Sequence, residues 1–194
     1  MIQKFKQTIP KQRNGVVSST DIFIVDYKKH NGGNVEVVEI LPQIEHVYLN
    51  NSRPIEIQYF AFDDNALTVA SEEGQVEHCE CVLFPTTCND SDWMLLAETK
   101  YSNDISTAFN PKYGYPNKMI NQIISTVNYL RMKEVFDEKK RVSAILSFPK
   151  LALDFSETFY AMSDKTAEEI LLNHNILIRP TNEGVVISEK RIKI

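Results

Sequence analysis

Apolar residues recur along this chain with two periods, and each change of period marks an element. Residues 21–27 and 35–40 are rich in β-branched and other apolar residues. These flank Lys28-Lys29-His30-Asn31-Gly32-Gly33-Asn34 and read as a β-hairpin. Residues 55–62 alternate as a strand, Asp63-Asp64-Asn65 turns it, and 66–70 read as its return. Residues 44–49 fit a strand or a short helix. Two further strands, 76–85 and 95–101, are separated by the turn-forming cluster Thr86-Thr87-Cys88-Asn89-Asp90-Ser91-Asp92. After a polar loop at 101–115 the period lengthens. Ile120, Ile123, Ile124, Val127 and Leu130 stripe one side of a helix predicted over 117–138. Lys118, Gln122, Ser125 and Tyr129 share another face of it. A strand at 141–149 follows, and 151–162 carry no clear period. Ser163 or Asp164 then caps a short helix through Leu172, and 176–179 with 184–194 predict a closing hairpin. Residues 1–14 show little periodicity and read as an extended arm.

Composition narrows the picture. At 194 residues and 43% hydrophobic, the chain fits a single domain able to bury a substantial core. The net charge of −5 excludes general polyanion binding by bulk charge. No apolar run approaches the roughly 20 residues that span a bilayer, and the N-terminus lacks a secretory core, so a cytoplasmic protein is expected. Cys79, Cys81 and Cys88 are an odd number crowded into one predicted hairpin, which is not a disulfide framework.

The chemistry concentrates around residues 76–101. Leu95-Leu96-Ala97 leads into Glu98-Thr99-Lys100, and a carboxylate and an amine two positions apart on a strand project from the same face. Burying both is costly unless something uses them. A hairpin whose turn centres on Asn89 sets Glu80 opposite Glu98. Like charges across a ladder destabilise it. A divalent cation reverses that sign, drawing carboxylate oxygens to roughly 2.0–2.1 Å in the case of magnesium. Glu77, Asp90 and Asp92 are the other candidate partners, but Asp92 on an extended strand lies about 20 Å from Glu98. His78, Cys79, Cys81 and Cys88 lack zinc-type pair spacing, and buried free cysteines account for them better than a zinc-binding structural protein.

An acid, an apolar strand ending in Glu-x-Lys, then a helix and another strand resemble the PD-(D/E)xK nuclease superfamily over residues 76–150. The matching residues are Glu80, Glu98 and Lys100, and Gln122 on the helix is similar to the glutamine of the exonuclease-like branches. The first acid is glutamate where that superfamily usually has aspartate, and Thr126 stands where those branches commonly have tyrosine. The resemblance implies an α/β fold with a restriction-endonuclease-like mixed-sheet core. Residues 15–75 would be a β-rich N-terminal addition and 151–194 a C-terminal helix and hairpin. It implies a nuclease that hydrolyses DNA phosphodiester bonds with Mg2+ or Mn2+ held by Glu80, Glu98 and the backbone carbonyl of Thr99. In that reading Lys100 positions the attacking water and Gln122 is an auxiliary contact. The alternative is a non-catalytic binding or scaffold module of the same fold, acting with a partner protein or as a homodimer.

Overall fold

The strands are of two kinds. Those at 57–62, 81–85, 95–99 and 142–147 are buried at nearly every position, as strands covered on both faces must be. Those at 35–38, 47–50 and 176–180 bury alternate residues and have one covered face. This difference is the layering of the molecule. A computed structural model describes residues 1–67, 76–152 and 154–194.

From the N-terminus the chain forms α1 (Ile2–Thr8), β1 (Gln12–Val17), β2 (Asp21–Asp26), α2 (Lys28–Asn31), β3 (Val35–Val38), β4 (Val47–Asn50) and β5 (Ile57–Phe62). It continues with β6 (Cys81–Pro85), β7 (Leu95–Thr99), α3 (Ile105–Ala108), α4 (Tyr115–Met132) and β8 (Val142–Ser147). The last elements are α5 (Ser156–Ala161), α6 (Ala167–His174), β9 (Ile176–Pro180), β10 (Glu183–Ser188) and β11 (Arg191–Lys193). A six-stranded sheet has the order β1-β5-β6-β7-β8-β9, antiparallel as far as β7 and parallel from β7 to β9. A five-stranded sheet, β11-β10-β4-β2-β3, is also mixed.

One face of the larger sheet packs on the smaller through Ile24, Leu49, Ile57, Leu83, Leu95 and Ile145. Its other face carries the helices, with Phe5, Ile123, Val127, Phe159 and Ile170 closing on Phe60, Phe84, Leu96 and Leu146. The fold is α/β, and no helix among the described residues is long and apolar enough to cross a membrane.

Several expectations need correction. Residues 2–8 are helical rather than an extended arm, because Phe5 and Ile9 stand one turn apart and are both fully buried. Phe5 stacks on Phe60 at 4.6 Å and Phe84 at 5.4 Å, and β1 extends the sheet beside β5. Helix α4 stops at Met132, short of 138. Glu134 takes a left-handed φ of 53°, and the Val135 N–H donates back to the Leu130 carbonyl at 2.9 Å. That turn returns Val135 and Phe136 to the core. Helix α6 is capped by Thr166 rather than by Ser163 or Asp164, since Glu169 three residues on completes a capping box.

The predicted C-terminal hairpin is divided between the sheets: β9 runs parallel to β8, while β10 pairs with β11 and β4. Asn182 holds the crossing, donating to the carbonyls of Phe148 and Leu151 and accepting from the Ser147 hydroxyl. Residues 47–50 settle as a strand. The return strand expected at 66–70 lies largely outside the described residues.

Candidate functional site

The β6–β7 ladder has the expected register, pairing Cys81 with Ala97, Val82 with Leu96 and Leu83 with Leu95. It stops one step short of Glu80 and Glu98. The Glu80 N–H donates to the Ala97 carbonyl at 3.0 Å, the chain bends away there, and 76–79 are not strand. Helix α4 secures this departing segment. Gln122 Nε2 donates to the His78 carbonyl at 2.8 Å, and the Cys79 N–H donates to Thr126 Oγ1, which itself donates to the Gln122 carbonyl. Gln122 therefore supports the segment that delivers Glu80.

Glu98 alternates with Leu96 on the helix-covered face and is fully buried. Lys100 follows on that face, its backbone N–H continuing the parallel pairing to the Ser147 carbonyl at 2.9 Å. Its ammonium donates to Glu98 Oε1. Among the described residues, Glu98 Oε2 and Thr99 Oγ1 are buried with no hydrogen-bond partner. Burial pushes the Glu98 carboxyl well above its ordinary value; Lys100 opposes that shift and Glu80 adds to it. Burial raises Glu80 in the same way, against the pull of Lys28. For Lys100, burial works downward, but Glu98 holds the ammonium above its usual range.

A further cation enters from the smaller sheet. Strand β2 is itself an apolar run ending in acid-x-lysine, Ile24-Val25-Asp26-Tyr27-Lys28. Asp26 Oδ1 accepts the Lys28 N–H at 2.9 Å, and Lys28 Nζ lies 3.5 Å from Glu80 Oε2 and 2.8 Å from Asp64 Oδ1. The Tyr101 hydroxyl accepts the Asp26 N–H and donates to the Glu45 carbonyl, tying the chain after β7 to the smaller sheet. Sequence reasoning missed Asp26 and Lys28, although the repeat of the β7 pattern at the end of β2 was a usable signal.

A cleft of about 750 Å³ is lined by Lys28, Glu80, Thr99, Lys100, Lys118 and Gln122, among others, while Glu98 stays fully buried and does not reach it. Among the described residues the lining carries four carboxylates, Asp26, Asp64, Glu77 and Glu80, against three ammonium groups, Lys28, Lys100 and Lys118. The face expected for α4 thus divides: Lys118 and Gln122 reach the cleft, while Tyr129 is buried in the apolar core. Asp92 serves the β6–β7 turn, accepting from the Thr87 hydroxyl and the Asn89 N–H.

Among the described residues the zinc alternative has no geometry behind it. Cys79 and Cys81 are fully buried, and burial pushes both thiols up. Both ring nitrogens of His78 meet backbone, at the Ala66 N–H and the Cys79 carbonyl. Among the described residues no three His, Cys, Asp or Glu side chains converge as a metal-binding group. A cation entering this cleft would have Glu80 on its wall, with Glu98 fully buried and paired to Lys100. No family model, curated protein or solved structure matches this chain.

Proposed function

We propose that this protein is a divalent-metal-dependent nuclease of the PD-(D/E)xK type, hydrolysing phosphodiester bonds in DNA. The observation that carries the reading is the buried Glu98 Oε2, without a partner among the described residues, whose sister oxygen is held by Lys100, with Glu80 entering the same end of the sheet. A buried carboxylate oxygen without a donor is open to a cation. Asp63 and Asp92 also leave one such oxygen among the described residues, so what favours the metal reading is that Glu98 shares its end of the sheet with Glu80 and Lys100. The order β6, β7, α4, β8, with β7 and β8 parallel and adjacent, supports a restriction-endonuclease-like core.

Glu80, Glu98 and the Thr99 carbonyl would hold Mg2+ or Mn2+, which lowers the pKa of a coordinated water and offsets charge on the scissile phosphate. Lys100 keeps Glu98 oriented and presents its ammonium to the phosphate as negative charge develops there. Gln122 fixes the 78–80 segment, so that Glu80 meets Glu98 from a defined direction. With four carboxylates facing three ammonium groups, the cleft favours a polyanion only after a cation binds.

The second reading is a non-catalytic module of the same fold. Lys28 favours it, because Glu80 already has an ammonium beside it. Cleavage of labelled single- and double-stranded DNA with Mg2+ or Mn2+ separates the two. The nuclease reading expects metal-dependent cleavage that falls about 100-fold or more in both Glu98→Ala and Lys100→Ala. A folded wild-type protein that neither cleaves nor takes up metal in calorimetry would leave the binding module standing.

A further inference from the structure

Each carboxylate of the site has its own ammonium. Lys100 takes Glu98 Oε1, and Lys28 stands 3.5 Å from Glu80 Oε2. The two lysines differ in how they are held. Lys100 is on the same strand as its partner and two residues away. Lys28 reaches Glu80 from the other sheet, across 52 positions of sequence, and its side chain is 28% exposed at the cleft. It also has a second anchor, Asp64 at 2.8 Å, whose side chain is 77% exposed. An ammonium shared between a buried and an exposed carboxylate can leave the buried one and remain paired.

We infer that Lys28 is an internal counter-cation for the Glu80 side of the metal site, exchanged for a divalent ion when one binds and retained at the cleft wall by Asp64. This rests on the metal-site reading above and adds a residue that the Glu-x-Lys motif does not contain. The chemistry is a displacement of one cation by another. In the metal-free protein the ammonium offsets the repulsion between Glu80, Asp26 and Asp64. A divalent ion drawn to Glu80 and Glu98 repels that ammonium, and Asp64 is the carboxylate left to receive it. Lys28 is therefore a positioning residue that weakens metal binding by occupying Glu80.

The test is calorimetric titration of Mn2+ into the full chain as wild type, Lys28→Met, Lys28→Gln and Lys28→Arg. Removing the ammonium tightens Mn2+ binding about tenfold in Lys28→Met and Lys28→Gln, while Lys28→Arg stays close to wild type. A purely structural lysine gives the opposite sign, since its loss would loosen the site. Equal or weaker binding in Lys28→Met and Lys28→Gln, with wild type still binding, would overturn the inference and leave the metal site intact. Binding by none of the four proteins would remove the metal site, and the inference with it.

Discussion

Lys100→Met removes the one donor that Glu98 has among the described residues while leaving the carboxylate fully buried. Breaking a buried pair from one side costs about 3–5 kcal/mol, because the remaining charge keeps its desolvation penalty without its partner. The Lys100 side chain is 21% exposed, so the lower end, about 3 kcal/mol, is the appropriate figure. For a chain of this length that corresponds to a fall in Tm of roughly 6–12 °C. The loss carries a pH signature. The Glu98 carboxyl is raised from 4.5 to about 8 in the folded protein, burial being the main cause. Its linked contribution is thus fully present below pH 4.5 and is lost as pH rises through about 8. Below that range Glu98 keeps its proton in both proteins and Lys100→Met costs least. Above about pH 8 only the wild type has an ammonium to hold the ionised form, and the difference opens by about 1.4 kcal/mol per pH unit, reaching about 3 kcal/mol only about two units higher, because the variant's carboxyl keeps its proton instead. Denaturant melts at pH 6 and pH 9 in EDTA measure it. Adding Mn2+ at pH 9 narrows the gap, and Glu98→Gln in the Lys100→Met background restores most of the stability. A loss under about 1 kcal/mol at pH 9, or one independent of pH, would mean a solvent-screened pair and refute the buried-site argument.

Two further substitutions test what supports the site. Phe5→Ala removes a fully buried ring stacked on Phe60 and Phe84, and should cost about 3–5 kcal/mol in chemical denaturation; a cost under about 0.5 kcal/mol would show a terminus that does not pack. Gln122→Ala withdraws the donor to the His78 carbonyl and should lower stability by about 1 kcal/mol while weakening Mn2+ binding, since Glu80 lies two residues beyond the supported carbonyl. Unchanged metal affinity in a folded Gln122→Ala protein would separate α4 from the placement of Glu80.

Local pattern alone determined a good part of this molecule. The β2–β3 hairpin was legible because its two apolar, β-branched runs and the Gly-Gly pair between them lie within a few residues of each other. The apolar lead-in to Glu98 and Lys100, the turn centred on Asn89 and the register it sets, and the apolar stripe of α4 were legible for the same reason. Elsewhere the decisive contact was distant. Phe5 and Ile9 are too few to announce a helix until Phe60 and Phe84 offer them a surface. Glu134 ends α4 in a left-handed turn that no residue type there demands; burial of Val135 and Phe136 holds it. The strands β9 and β10 look like a hairpin in sequence, yet each has a better partner in a different sheet, β8 and β4. The site follows the same division. Glu98 and Lys100 meet through the two-residue repeat of one strand, whereas Lys28 meets Glu80 only because two sheets stack, and stacking has no period that a sequence can display.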